Sequence, residues 1–539
     1  MVACTVVDYI LTRLREQHVD TLFGVPSAFC APLFDAAPAA GMTAVVTATD
    51  LEAGYAADGY ARTRGLAAVS VAYGVGTLSL INAIAGAYVE RSPIVVINGG
   101  PTESHLAGLS DLDVVFSHSI GRPDTDLSAY KLVTASAQRA ATTAEVPTIV
   151  DTAIATAIRR MRPTYLEISK DLWNRACASP AGPLRLTDPP AGTEQGLAGT
   201  IIGLIRAARS PLILVGAEIQ RYGLADQVAD LITKLGVRWS TALLAKSVLA
   251  EQGKGWVGVY DPPRPGPARE AVEQADLLLT LGCVFPNGYA QLLASRREHI
   301  VSVYDGTVRI RGGVRQQAEL RTLVAALVTQ AATAPPRPAP AGVQPTMPAP
   351  ATGGLTYRQV FERIGVALDD SWLVVPDTFL GVFSAARLPV KGRDGFLCGS
   401  VWASIGHSVA ASVGASFGSP RRPLVVCGDG GFHMMAQALS TMVRYRIDPV
   451  VIVIDNGLYG YEQFILGRRY FEQSGVQPLP YVVLNRWDFV SFATAVGMGS
   501  AYSVDTASAF DAALAAAKAS SAPALIVAKV DPRTLPADA

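Results

Sequence analysis

Asp429 and Asn456 are the residues whose types and spacing first suggest chemistry. Asp429 stands in Gly428-Asp429-Gly430-Gly431, and Asn456 in Asp455-Asn456-Gly457-Leu458. A carboxylate, a carboxamide oxygen and the Leu458 carbonyl are hard oxygen donors, the kind Mg²⁺ takes, with water and phosphate oxygens completing an octahedron. The glycines let backbone approach a bulky anion, and a helix opening behind them offers free N–H groups to phosphate. The set reads as a clamp for a diphosphate and its metal, with Asp429, Asn456 and Leu458 as metal ligands.

Such a clamp needs two adjacent parallel strands. An apolar run over 424–427 enters the glycines, a helix-like stretch follows, and a second apolar run over 450–454 ends at Asp455, which predicts one βαβ unit. The N-terminal third alternates in the same way. Helical spacing over 3–17 precedes strands near 21–24, 43–48, 67–73 and 93–97, with helices over 51–64 and 77–90 and a tight turn at Gly74-Val75-Gly76. A further cycle starts near Gly196, with strands at 211–216 and 276–283 but no phosphate-type loop. The last third adds a helix over 356–368, a strand over 372–375, a helix near 490–496, and strands near Tyr502 and over 524–530. Residues 331–354 are rich in Pro and Ala and predict an extended connector.

The expected architecture is therefore α/β, with three doubly wound parallel-sheet domains over 1–180, 190–330 and 355–539 and a linker over 331–354. Half of the 539 residues are hydrophobic, 17% are charged and the formal net charge is zero. That balance favours a small-molecule enzyme over a partner of nucleic acid or anionic membrane. Six scattered cysteines without a CxxC pair read as buried free thiols of a reducing compartment. The N-terminus lacks a signal-peptide core and no apolar stretch reaches the ~20 residues of a spanning helix, so a cytoplasmic protein is expected.

Gly428-Asp429-Gly430 followed by Asn456 resembles the thiamine diphosphate fingerprint, and the segment 49–62, ending AADGYAR, resembles the pyrimidine-binding segment of thiamine diphosphate-dependent 2-oxo acid decarboxylases and their acetolactate-synthase-like relatives. The pyruvate and indolepyruvate decarboxylase branch is the nearest match. In that family a glutamate hydrogen-bonds the aminopyrimidine ring; alignment on AADGYAR puts Asp50 there, one methylene shorter, and favours it over Glu52, which needs a register shift. Since ~1 Å of misplacement costs ~10²-fold in rate, Asp50 must draw the backbone closer or bond through water. Its alternative role is to cap the helix that follows.

The resemblance also implies that the Ala403 carbonyl receives the aminopyrimidine N–H, that Ile405 bends the cofactor, that Asp377-Thr378 holds the diphosphate end, and that Gly76 and Thr77 line the pyrimidine pocket. The substrate side diverges: where the family carries an Asp, a His-His pair and a Glu, this chain has Ala28, Ser117-His118 and Glu462. His118 and Glu462 remain to relay protons. His407 and His433 match no catalytic position and read as structural. The chain ends after the strand at 524–530 where many relatives continue into a covering helix, which implies a more open pocket.

By the same resemblance the cofactors are thiamine diphosphate and Mg²⁺. The active sites lie between subunits of a homodimer or homotetramer, with Asp50 acting in trans. The substrate is a small 2-oxo acid that loses CO₂ to leave an enamine, released as an aldehyde. Transfer to a carbonyl acceptor, which would make the enzyme a carboligase, and a non-catalytic cofactor-binding subunit are the alternatives.

Overall fold

The computed structural model describes residues 4–122, 124–186, 192–262, 264–332, 340–342 and 354–536. Three sheets account for its strands. The first comprises β1 (Thr21–Gly24), β2 (Thr43–Val46), β3 (Ala67–Ser70), β4 (Ile94–Gly100), β5 (Ala137–Ala140) and β6 (Thr164–Ser169), all parallel in the order β2-β1-β3-β4-β6-β5. The middle sheet is formed by β7 (Pro211–Val215), β8 (Arg238–Ala242), β9 (Trp256–Tyr260), β10 (Leu277–Leu281), β11 (Ile300–Tyr304), β12 (Thr307–Ile310) and β13 (Gln316–Gln317). It runs in the order β13-β12-β11-β10-β7-β8-β9 and is parallel except for its β12–β13 edge, which returns antiparallel from a short turn after β11. The last contains β14 (Trp372–Pro376), β15 (Arg422–Gly428), β16 (Val450–Asp455), β17 (Ser500–Val504) and β18 (Ala524–Lys529), parallel in the order β14-β15-β16-β18-β17.

Strands such as LLLTL in β10 and VVIVID in β16 are buried along their whole length because helices cover both sheet faces. Among the described residues one hydrophobic cluster runs from Val69 and Val95 of the first sheet to Val425 and Val451 of the last, so these two units share a core. Their join is a helix crossing made close by small residues. A Cβ at Gly59 of the Asp50–Arg64 helix would stand 2.0 Å from the Ala411 carbonyl oxygen, and one at Gly414 of the His407–Gly418 helix 1.7 Å from that of Ala56.

Two sequence expectations shift. The Asp50–Arg64 helix is capped by the Thr49 hydroxyl, which accepts from the Glu52 amide, so Asp50 is not its cap; Asp50 and Glu52 in the first turn and Arg62 and Arg64 in the last suit its dipole. Ala331 closes the Leu320–Ala331 helix and Gly354 bridges Thr506, so the connector is shorter than 331–354; its residues 333–339 and 343–353 lie outside the described residues. The six cysteines are free thiols, Cys4 and Cys177 only partly buried. No described helix is long and apolar enough to cross a membrane.

Candidate active site

Paired parallel strands β15 and β16 end side by side and bring Asp429 and Asn456 together at one sheet edge. Gly428 is extended at the end of β15, and Asp429, Gly430 and Gly431 open the Asp429–Met435 helix. Asp429 is buried; its Oδ2 accepts the Gly457 amide at 2.6 Å and its Oδ1 the Gly430 amide at 3.0 Å. Gly457 turns with φ 71°, a conformation that favours glycine, and thereby points its N–H back at the carboxylate. Asn456 is buried too, donating from Nδ2 to the Tyr357 hydroxyl at 3.0 Å and accepting the Leu458 amide at 3.0 Å on Oδ1, which leaves that oxygen a second lone pair. Leu458 packs with Tyr470 and Val482.

From β14 the buried Asp377 reaches across to the His407–Gly418 helix. Its Oδ2 accepts the Gly406 amide at 2.8 Å and its Oδ1 the Ser408 amide at 3.2 Å. A Cβ at Gly431 would lie 2.2 Å from that Oδ2, so glycine is required there by contact. Thr378 donates to the Gly399 carbonyl at 3.0 Å.

Carboxylates gather here. Burial, aided by the Asp455 carboxylate and opposed by the Gly457 amide, pushes Asp429 up to about 7. Burial also raises Asp377, against the Gly406 and Ser408 amides. One guanidinium, Arg486, faces Asp455 at 2.8 Å. Buried carboxylates whose charged forms are disfavoured in the absence of a partner, beside a carboxamide oxygen, fit a hard divalent cation. Among the described residues no three His, Cys, Asp or Glu side chains converge as a metal cage, so such a cation must complete its shell from water and ligand oxygens.

Beside this edge runs the 398–407 loop, tied from below by the first unit. Glu90 Oε1 accepts the Val401 and Trp402 amides at 2.7 and 2.9 Å, and its Oε2 pairs with Arg62 at 2.7 Å. Arg62 also donates to the Cys398 carbonyl at 2.7 Å and pairs with Asp58 at 2.8 Å, which bonds His407 at 2.6 Å. Burial alone would raise Asp58, but Arg62 and His407 hold it well below the usual carboxylate range. Tyr55 and Ser404 share a 2.6 Å hydrogen bond. Against this scaffold Ala403 is exposed and takes φ 59°, a left-handed conformation that costs a non-glycine residue of order 1 kcal/mol and persists only where neighbours impose it. Ile405 beside it is half-buried.

The remaining candidates cluster on the first unit. Asp50 is half-buried, its pKa raised by desolvation against its own backbone amide, and its Oδ1 lies 2.8 Å from where a Cβ at Gly76 would stand. Glu52 is fully buried: its Oε2 accepts the Ala48 amide at 3.0 Å, and burial raises its pKa against the Thr441 hydroxyl. Gly74 donates to the buried Asp126 at 2.8 Å, and the His118 carbonyl packs on Gly74. The His118 side chain is exposed, its ring 6.1 Å from that of Phe29. Thr77 accepts from Asn98 at 3.0 Å. Glu462 is exposed on the Gly460–Leu466 helix that follows Leu458.

Within one chain these are two half-sites. Among the described residues no hydrogen bond or ion pair joins Asp50, Gly76 or His118 to Asp429, Asn456, Leu458 or Glu462. The sequence reading missed Glu90 and Tyr357, neither of which stands in a motif; Asp455 stood beside Asn456 at the strand end, and Asp58 and Arg62 inside AADGYAR, but these three had no partner to suggest a role. His407 is engaged by Asp58, and His433 lies between Trp487 and Phe489 at 4.4 and 5.2 Å.

Comparison with known proteins matches residues 4–119 to the family model "Thiamine pyrophosphate enzyme, N-terminal TPP binding domain", 199–329 to the central domain and 380–528 to the C-terminal TPP binding domain of the same enzymes. The chain is 30% identical to a pyruvate decarboxylase of Aspergillus fumigatus, over 92% of this chain and 88% of that protein. It is also 30% identical to an alpha-keto-acid decarboxylase of Mycobacterium tuberculosis, over 98% and 94%. Its fold is that of the thiamine diphosphate-dependent 4-hydroxybenzoylformate decarboxylase of Rhodococcus jostii RHA1, with a TM-score of 0.79 at 22% identity over 98% of this chain and 99% of that one. A thiamin diphosphate-dependent enzyme from Mycobacterium smegmatis superposes with a TM-score of 0.77, at the same identity and coverage.

Proposed function

The chain belongs to the thiamine pyrophosphate enzymes, and from that premise we propose that it is a cytoplasmic decarboxylase of a small 2-oxo acid, using thiamine diphosphate and Mg²⁺. The observation that carries the reading is Asp429, a buried carboxylate at the end of β15 held by the Gly430 and Gly457 amides, whose charge is disfavoured by burial and by Asp455 unless a cation joins it. Asp429, Asn456 Oδ1 and the Leu458 carbonyl would hold Mg²⁺, while Gly428, Gly430, Gly431 and Thr378 flank the diphosphate. The Ala403 carbonyl and Ile405 would hold the aminopyrimidine ring.

Bound there, thiamine diphosphate supplies an electron sink for the carbon that loses CO₂. The protein's part is to position and to move protons. Asp50 would hold a proton toward the aminopyrimidine ring; desolvation raises its pKa, which suits a group that must share one. Glu52, enclosed against Ala48 and Thr441, is in no position to do so. His118 and Glu462 deliver the proton that releases the aldehyde.

A second copy of the chain completes the site in this reading, as a homodimer or a homotetramer built from it. Asp50 opens to solvent in the single subunit, and large apolar side chains lie exposed near both half-sites: Val75 and Leu78 beside Gly76, and Trp402 and Met434 beside the cleft. Transfer to a carbonyl acceptor is the second reading. It is favoured by Ala28 and His118 both being exposed, which leaves the substrate side without an enclosed acid.

The test is product analysis by mass spectrometry with thiamine diphosphate, Mg²⁺ and a panel of 2-oxo acids, with and without aldehydes. Aldehyde and CO₂ without an acceptor are expected. Turnover only when an acceptor is present would replace decarboxylase by carboligase, and tight cofactor binding without turnover would leave a non-catalytic subunit.

A further inference from the structure

A second cavity, of about 560 Å³, opens where the three units meet. Arg62 and Arg64 enter it from the end of the Asp50–Arg64 helix, Arg221 from the end of the Ala217–Arg221 helix, and Arg393 and Arg421 from segments ahead of β15. Asp394 is the one carboxylate among its described lining residues, and it already accepts from Gln220 at 2.7 Å.

The five guanidiniums are not equally satisfied. Arg62 is neutralised by Asp58 and Glu90, Arg64 pairs with Asp20 at 3.2 Å, and Arg393 pairs with Asp226. Among the described residues Arg221 and Arg421 have no ion pair, and each keeps a buried nitrogen without a hydrogen-bond partner, Nε of Arg221 and Nη1 of Arg421. The side-chain partner of Arg221 is the neutral Gln220 amide oxygen. Desolvation and the Arg62 charge pull Arg221 down to about 10, although Asp58 and Glu90 act in the opposite sense.

Holding two unneutralised guanidiniums at one cavity is costly unless an anion occupies it. The guanidinium fork matches the oxygens of phosphate, and two such forks from separate segments suit a doubly charged group better than a single carboxylate. The volume exceeds what a bare phosphate ion needs and lies in the range of small-molecule sites.

We propose that this cavity is a binding site, separate from the cofactor cleft, for a small phosphorylated anion held between Arg221 and Arg421. Calorimetry on the full-length protein, saturated beforehand with thiamine diphosphate and Mg²⁺ so that the diphosphate clamp is filled, tests it. Inorganic phosphate is the probe, with sodium acetate and sodium chloride at matched ionic strength as comparisons. Saturable phosphate binding at least tenfold tighter than acetate is expected, weakened tenfold or more in Arg221→Gln and in Arg421→Gln, with thiamine diphosphate affinity unchanged in the latter. If Arg221→Gln fails to fold, Arg421→Gln carries the comparison. Absence of saturable binding, acetate binding as tightly as phosphate, or variants that bind phosphate as the parent does would each overturn the proposal.

Discussion

Around Asp429 the polar contacts close within one strand–helix–strand unit: the carboxylate takes amides from Gly430 and Gly457, and Asn456 takes the Leu458 amide. Around Asp50 almost nothing closes, for its carboxylate lies beside Gly76 and is half-exposed, and among the described residues no other residue's side chain bonds it. Both groups are carboxylates at the junction of a strand or turn with a helix. One is enclosed and the other open, and the contrast teaches that a short motif can close a carboxylate's hydrogen bonds within one unit while another motif leaves its carboxylate without a side-chain partner among the described residues.

Removing the enclosed carboxylate should have the largest effect. Asp429→Ala is expected to weaken Mg²⁺-dependent thiamine diphosphate binding by about 100-fold or more in calorimetric titration, the scale of lost metal ligation and its support. Unchanged affinity would remove Asp429 from the clamp. On the other side, Asp50→Ala should keep cofactor affinity within a few-fold yet slow exchange of the thiazolium C2 proton by about 10²-fold, as NMR deuterium incorporation would read. Glu52→Gln should leave exchange unchanged; the reverse pattern would hand the role to Glu52.

The contrast sharpens when the two defects are mixed. Co-expressed Asp50→Ala and Asp429→Ala chains, each inactive alone, should recover about a quarter of parental activity, because half of randomly paired dimers carry one intact site of two. No recovery would place both half-sites in the same chain.

Glu90→Gln tests the scaffold beneath Ala403. Losing a buried charge that pairs Arg62 and holds two loop amides is expected to cost about 3 kcal/mol or more, read as a lowered Tm. A Tm equal to the parent's would mean the loop is held elsewhere.

The smallest effect concerns acid. The folded-state pKa of Asp58 lies below its unfolded value of about 3.9, so its stabilisation is present above that value and is lost as pH falls through it toward the folded one. The stability gap between the parent and Asp58→Asn, measured by denaturant titration, should therefore hold steady above about pH 5 and shrink as pH falls below about 4. A constant gap would mean that the Asp58 charge contributes nothing.

What was legible in the chain and what was not divides along the same line. Apolar runs and their glycine-marked ends determine that β15 and β16 are buried parallel strands, and that Asp429 and Asn456 emerge together, because strand pairing in a βαβ unit brings strand ends into register. The AADGYAR segment likewise specifies a helix and its small-residue crossing face. Nothing local, however, tells that Glu90 reaches Val401 and Trp402, that Asp377 seats the start of the His407–Gly418 helix, or that Arg62 lies between Asp58 and Glu90, since each contact joins residues far apart in sequence. Alignment on AADGYAR favoured Asp50 over Glu52, but spacing could not say what surrounds each. Two residues along a helix turn a side chain by about 200°, and only the tertiary packing decides which of the two faces is walled in by Thr441 and which is left open beside Gly76.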